Sequence, residues 1–93
     1  MKIVWTDEAL ADIEWIVEQV AEYASPESAY RYLEEFEKIV ELASHFPKMG
    51  KLGQVKGTRE LYPIKGKYRI VYHQPSENIL EVITVVMARK LYP

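Results

Sequence analysis

The sequence contains no cysteine among its 93 residues. This absence excludes disulfide bonds, cysteine nucleophiles, iron–sulfur clusters and thiolate zinc sites, so stability must come from one compact core. Histidine occurs only as His45 and His73, and neither has acidic residues at the spacing of a metal site. The sequence also lacks a glycine-rich phosphate-binding loop and a nucleophile elbow. We therefore expect no metal and no cofactor.

Long apolar runs are missing as well. No stretch approaches the roughly 18 residues that a membrane span requires, and the first residues lack the apolar segment of a secretion signal. With 48% apolar and 28% charged residues, the composition is that of a globular protein, and the length suits a single domain over residues 1–93. We expect a soluble, cytoplasmic protein that binds no membrane.

The net charge of −2 conceals a strong asymmetry along the chain. Residues 1–46 contain 3 Lys/Arg and 11 Asp/Glu, whereas residues 47–93 contain 9 and 3. The basic half can attract a polyanion or an acidic peptide that the acidic half repels. Charge therefore indicates an anionic partner for the second half.

Two amphipathic helices are predicted in the acidic half. Thr6 is a suitable N-cap for the first helix, and apolar residues then recur at spacings of three and four. Ser25 and Pro26 are typical of the start of a second helix, which Pro47 ends. The two helices should form a hairpin with one shared apolar seam.

Strand patterns occupy the rest of the chain. Residues 2–5 are β-branched and aromatic, residues 57–62 and 67–73 alternate with period two, and residues 79–87 form a long apolar strand. The segment 47–53 contains proline and two glycines and predicts a loop. The order β-α-α-β-β-β predicts an α+β fold in which the helical hairpin packs on a small, twisted antiparallel sheet.

Trp15, Leu42 and Arg69 depart from these patterns. On a helical wheel, Trp15 lies on the polar side of the first helix, so we expect an exposed contact anchor, with packing beneath the chain termini as the alternative. Leu42 lies toward the polar side of the second helix. Arg69 lies in the middle of a strand, where a charge needs a partner or a function.

Several short motifs also follow one another in a fixed order. They are Trp5-Thr6-x-x-Ala9-x-x-Asp12-Ile13-x-x-Ile16, Pro26-x-x-Ala29, His45-Phe46-Pro47-x-x-Gly50, Gly57-Thr58-Arg59-Glu60-Leu61, Tyr68-Arg69-Ile70-Val71-Tyr72 and Ala88-Arg89. In these motifs the chain resembles the RelE/ParE superfamily, the toxin components of type II toxin–antitoxin systems. The resemblance covers nearly the whole chain and implies the same order of helices and strands.

The resemblance implies two alternative activities. RelE-like members cleave messenger RNA on the ribosome, whereas ParE-like members inhibit DNA gyrase and lack the ribonuclease residues. The residues that could serve an endoribonuclease here are Glu60, Arg69, Arg89 and Tyr92. However, Glu60 and Tyr62 stand where the ribonuclease branch has lysines, and Met87 stands where many relatives have histidine. We therefore expect a ParE-like toxin without catalytic residues; an inactive relative that acts as an interaction module is a third possibility.

The resemblance also implies partners. A cognate acidic antitoxin, with a C-terminal segment that is disordered alone, would fold along the toxin in a hetero-oligomer and relieve its inhibition of growth, as in plasmid stabilisation systems. DNA gyrase is the expected target, with the ribosome and messenger RNA as the alternative. The expected partner-binding residues are Trp15, Leu42, Arg59, Arg69 and Arg89.

Overall fold

The computed structural model describes residues 1–89. In chain order, the helices and strands are β1 (Lys2–Trp5), α1 (Asp7–Tyr23), α2 (Pro26–His45), β2 (Lys51–Leu52), β3 (Thr58–Leu61), β4 (Tyr68–Ser76) and β5 (Ile79–Met87). Both predicted helix caps are confirmed. Thr6 Oγ1 accepts a hydrogen bond from Ala9 N–H at 3.1 Å, and Ser25 Oγ accepts one from Ser28 N–H at 3.0 Å. Each cap satisfies a donor that the first helical turn leaves open.

The sheet is mixed and has the strand order β1-β5-β4-β3-β2. The later strands pair antiparallel, but β1 pairs in parallel with β5. The α+β fold with a helical hairpin on a sheet is confirmed, whereas the sheet is not wholly antiparallel as the sequence predicted. The direction of β1 depends on its tertiary position, which residue alternation does not encode. The predicted loop at 47–53 also contains the short strand β2.

The core lies between one face of the sheet and the helical hairpin. Its fully enclosed apolar side chains include Phe36, Val40, Ile70, Leu80 and Val82. Burial of one such side chain stabilises the fold by about 1.5–3 kcal/mol. The rings of Tyr32, Phe36 and Tyr68 also pack edge to face, with centroids 5.7–6.4 Å apart. The apolar faces of the two helices, which the sequence predicted to form one shared seam, thus pack on the sheet.

The middle of β5 contains an irregularity next to α1. Ile83 is an extra residue between the pairs Val71–Thr84 and Tyr72–Val82. Such a bulge bends the strand and increases its twist. β1 ends opposite Val82, so α1 rather than β1 lies beside the second half of β5. Within residues 1–89, neither helix combines the length and apolar character needed to cross a lipid bilayer.

Candidate partner-binding and charged sites

The face of the sheet opposite the helices, here called the outer face, carries a buried ion pair. Side chains alternate along a strand, so Arg69 points away from the helices because its neighbour Ile70 packs in the core. Arg69 Nη1 lies 3.8 Å from Glu60 Oε1, and the two residues are only 4% and 5% exposed. This Glu60–Arg69 pair brings together two of the four residues that a ribonuclease site would use.

Tyr62 adds a hydrogen bond to this pair. Its hydroxyl donates to Glu60 Oε1 at 2.6 Å. The hydrogen bond to Glu60 raises the pKa of Tyr62, burial and the Glu60 charge act in the same direction, and Arg69 opposes them. Tyr62 therefore keeps its proton at neutral pH and serves as a donor rather than as a base. The Glu60 carboxylate therefore already contacts the Arg69 guanidinium and the Tyr62 hydroxyl.

Arg89 occupies a different place. It is exposed just beyond the end of β5 and lines a shallow pocket of about 360 Å³ with Gly66, Lys67, Met87 and Ala88. The described residues that line this pocket include neither Glu60 nor Arg69. Tyr92, the fourth candidate, lies outside the described residues. Residues 1–89 also contain no group of three or more His, Asp or Glu side chains placed to hold a metal ion.

The expected exposure of Trp15 and Leu42 is confirmed. Trp15 is 60% exposed, and Leu42 is exposed on α2. Trp15 also borders a groove of about 300 Å³ between α1 and the end of β5, here called the Trp15 groove. The groove is lined by Asp12, Trp15, Ile16, Tyr68, Val85, Val86 and Met87. That these residues bind a partner stays a prediction.

Arg59 donates hydrogen bonds to the loop that joins α2 to β2. Its Nη1 donates to Gly50 O at 2.8 Å and to Lys48 O at 3.2 Å. These contacts give Arg59 a structural role that the sequence did not indicate. Its contact with a partner remains a prediction.

The sequence presented Asp12 only as one residue of a motif, yet in the structure it joins α1 to β5. Its Oδ2 accepts hydrogen bonds from Thr84 Oγ1 at 2.5 Å and from Val85 N–H at 3.0 Å. The available signal was its position beside the apolar stripe of α1, four residues before Ile16. A carboxylate at such a boundary can reach a neighbouring strand, but its acceptor role depends on where that strand lies.

The sequence presented Tyr72 only as one residue of a motif and indicated no contact for its hydroxyl. Its buried hydroxyl donates to Pro47 O at 2.7 Å and accepts from Gly50 N–H at 3.1 Å. We expect Tyr72→Phe to lower the free energy of unfolding by about 1–3 kcal/mol, because a buried donor and acceptor lose their partner. Urea unfolding measures this. The exposed Tyr30→Phe is the control, and equal losses in both variants would contradict the role of the hydroxyl.

Comparison with known proteins identifies the family. Residues 3–92 match a family model described as the ParE toxin of the type II toxin–antitoxin system parDE. The structure is similar to a chain of the chromosomal ParDE toxin–antitoxin system from P. aeruginosa, with a TM-score of 0.84 and 18% sequence identity, covering 96% of this chain and 97% of that chain.

Two structures from E. coli share the same fold. The intact RelBE toxin–antitoxin complex gives a TM-score of 0.66 at 16% identity, covering 96% of this chain and 98% of that chain. The isolated RelE toxin gives a TM-score of 0.64 at 16% identity, covering 97% of this chain and 86% of that chain. A search of curated proteins found no significant match. Because the family model spans nearly the whole sequence, the chain belongs to the ParE toxin family of type II toxin–antitoxin systems.

Proposed function

We propose that this chain is a cytoplasmic toxin that arrests growth by binding DNA gyrase, without chemistry of its own, and that a cognate acidic antitoxin neutralises it. Membership of the ParE toxin family supports the role of toxin. The buried Glu60–Arg69 pair is the observation that favours inhibition by binding over cleavage of messenger RNA.

Cleavage of RNA needs a base for the 2′-hydroxyl, a cation near the developing phosphorane charge and an acid for the leaving oxygen. In this chain the guanidinium of Arg69 is buried against a carboxylate, so a phosphate that approached Arg69 would meet the negative charge of Glu60. The Tyr62 hydroxyl donates its proton to Glu60 Oε1 and so is also engaged within this pair. Loss of each acid or base group costs about 10²–10⁴-fold in rate, which supports a toxin that does not cleave.

Exposed apolar side chains support a toxin that acts through protein contacts. Leu42 and Phe46 lie one helical turn apart near the end of α2, and Leu52 is exposed on the edge strand β2. Trp15 is exposed on α1. Large side chains of this kind serve as anchors when a partner covers them. The molecule therefore offers separate apolar surfaces for a target and for an antitoxin.

Purified gyrase tests the proposed target. Addition of the toxin in molar excess should abolish most of the ATP-dependent supercoiling of relaxed plasmid DNA, because the toxin would hold gyrase in a bound, inactive state. The same toxin mixed beforehand with the proposed antitoxin is the control, and it should leave supercoiling intact. Agarose gel electrophoresis of the plasmid measures both reactions.

Full supercoiling activity at an excess of folded toxin would refute gyrase as the target. A translation assay then distinguishes the alternative activity. Codon-linked cleavage of messenger RNA on ribosomes by the unmodified toxin, lost in Arg89→Ala, would replace the proposal with a RelE-like endoribonuclease. Growth that continues unchanged when the toxin is overproduced would instead indicate an inactive relative that serves as an interaction module.

A further inference from the structure

A small pocket lies where the loop after α2 meets β3 and the middle of β4. Its volume is about 150 Å³, and it is lined by Pro47, Lys48, Gly57, Arg59, Tyr72, His73 and Gln74. Two of these side chains are cations, and no Asp or Glu of the described residues belongs to the lining. This pocket, here called the Arg59 pocket, shares no lining residue with the Trp15 groove or with the pocket beside Arg89.

Arg59 is held in a fixed orientation at this pocket. The residue is half-buried, and its Nη1 donates to Gly50 O and to Lys48 O. Both hydrogen bonds use the same nitrogen, and within residues 1–89 no hydrogen bond uses Nη2 or Nε. A guanidinium has five N–H donors in a planar fork that matches the oxygens of a phosphate. Arg59 therefore lines the pocket with donors beyond those that hold the loop.

Further positive charge adjoins Arg59. Lys48 lines the pocket from the loop after α2, and Lys56 is exposed in the turn that contains Gly57. His73 already has a carboxylate partner, because its Nε2 lies 2.6 Å from Glu81 Oε1. The local charge thus has the opposite sign to the net charge of the molecule, which is −2. An anion is therefore attracted to a particular site rather than to the protein as a whole.

Gly57 leaves one side of the pocket open. Its φ of +87° is a conformation that other residues rarely adopt, and a Cβ placed there would meet no atom within 4 Å. The glycine permits the turn that brings Lys56 next to β3. It also presents backbone without a side chain at the pocket, so that an approaching ligand meets no steric obstacle there.

We propose that the Arg59 pocket binds a phosphate group of the DNA backbone while the toxin is bound to gyrase. Arg59 and Lys48 contact this phosphate, and Lys56 contacts a neighbouring one. The proposal rests on the proposed function, since gyrase brings the toxin and DNA together. Contacts to phosphates position a protein on DNA without reading its sequence, so we expect the contact to be the same on any duplex.

The positions of the cations favour a phosphate over a carboxylate. The oxygens of a phosphodiester point toward the corners of a tetrahedron, so they can accept from Arg59 and from Lys48 on different walls of the pocket. The oxygens of a carboxylate lie in one plane and match the guanidinium fork alone. Lys56 lies outside the lining, so an occupant that contacts it as well must repeat its charge at short intervals. Duplex DNA carries one negative charge per about 1.7 Å of helix axis.

The effect of DNA on toxin binding to gyrase tests the contact. Few phosphate contacts hold a protein on DNA only weakly, but on gyrase they become intramolecular and act at a high effective concentration. We therefore expect linear duplex DNA to lower the dissociation constant of the toxin for gyrase at least about fivefold. Surface plasmon resonance with immobilised gyrase, in the presence and absence of the duplex, measures this enhancement. Equal affinity under both conditions would overturn the proposal.

Substitution of the two lysines assigns the enhancement to the pocket. The double variant Lys48→Gln/Lys56→Gln keeps the hydrogen bonds of Arg59 to the loop, since these reach backbone carbonyls. DNA should then change the affinity for gyrase by less than about twofold. Lys65→Gln, at an exposed cation that lies outside the lining of the Arg59 pocket, is the matched control and should retain the full enhancement. A double variant with the full enhancement would contradict the assignment. Circular dichroism verifies that both variants are folded.

A titration without gyrase distinguishes the sources of the anion. NMR follows the Nε–H signal of Arg59 and the backbone N–H signal of Gly57 while a short DNA duplex, inorganic phosphate or a glutamate-rich peptide is added at low salt. We expect both signals to shift with the duplex and with inorganic phosphate, and to shift less with the peptide. Shifts with inorganic phosphate alone would overturn DNA as the occupant. Larger shifts with the peptide would replace DNA by an acidic protein segment, and no shift with any of them would overturn the site.

These outcomes are separable from failure of the proposed function. A toxin that binds gyrase equally well with and without DNA would overturn the DNA contact while leaving inhibition of gyrase in place. A toxin that does not bind gyrase at all would refute the proposed target, and the titration would still decide whether the Arg59 pocket binds a phosphate group.

Discussion

Arg69→Met should lower the free energy of unfolding by about 3–5 kcal/mol, even though methionine is apolar and similar in length to the aliphatic part of arginine. The loss arises because Glu60 would remain buried without the cation beside it. Its Oε2 is already buried without a hydrogen-bond partner among the described residues. A domain of this size is stabilised by only about 5–15 kcal/mol, so the variant would be close to unfolding at moderate temperature.

The double variant Glu60→Met/Arg69→Met identifies the cause. Removal of both charges should restore most of the lost stability, because apolar replacement of a buried ion pair is often neutral or stabilising. Urea denaturation of the two single variants and the double variant measures the coupling between the residues. Lys65→Met, at an exposed cation, should change stability by less than about 0.5 kcal/mol. A double variant as unstable as Arg69→Met would show that the charge pair is not the source of the loss.

The same double variant also tests whether Arg69 contacts a partner, as the sequence predicted. If its role is structural, the folded double variant should keep the proposed inhibition of gyrase and the proposed binding to the antitoxin at nearly normal affinity. Loss of either activity in a folded double variant would favour direct contact. This comparison is needed because loss of activity in Arg69→Ala alone could follow from unfolding.

The helices were predictable because their determinants are local. Thr6 and Ser25 cap helices with hydrogen bonds that span three residues, and the 3.6-residue period fixes which side chains share a face. The exposure of Trp15 follows from that period alone. The apolar run at 79–87 likewise gave the bounds of β5 correctly, because a strand with most of its length buried has few polar residues to interrupt it.

The charged residues on the sheet were harder to interpret from the sequence. The number of cations in the second half of the chain indicated an anionic partner for that half. The structure instead pairs Arg69 with Glu60 across β3 and β4, and it directs Arg59 to the carbonyl of Gly50. Both contacts depend on strand register and on the path of a loop. Neither quantity can be read from the alternation of residues within one strand.

Asp12→Ala should lower the free energy of unfolding by about 3 kcal/mol. The substitution removes the acceptor of two hydrogen bonds at once, and bonds to a charged group are worth about 1.5–3 kcal/mol each. The hydroxyl of Thr84 is almost completely buried, so water cannot readily replace the lost carboxylate. Loss of the second bond should also speed hydrogen exchange at Val85 N–H, since Asp12 Oδ2 is the acceptor of this amide's hydrogen bond.

Asp12→Asn tests whether the two hydrogen bonds to Thr84 and Val85 need the negative charge of Asp12 or only an acceptor oxygen. Asparagine keeps an oxygen that can accept both hydrogen bonds, so we expect a loss well below that of Asp12→Ala. Glu14→Ala, at an exposed carboxylate on the same helix, should change stability by less than about 0.5 kcal/mol. Equal losses in Glu14→Ala and Asp12→Ala would attribute the effect to the net charge of α1. A specific loss at Asp12, accompanied by faster exchange at Val85, would instead show that a single carboxylate holds the helix against the bulged strand.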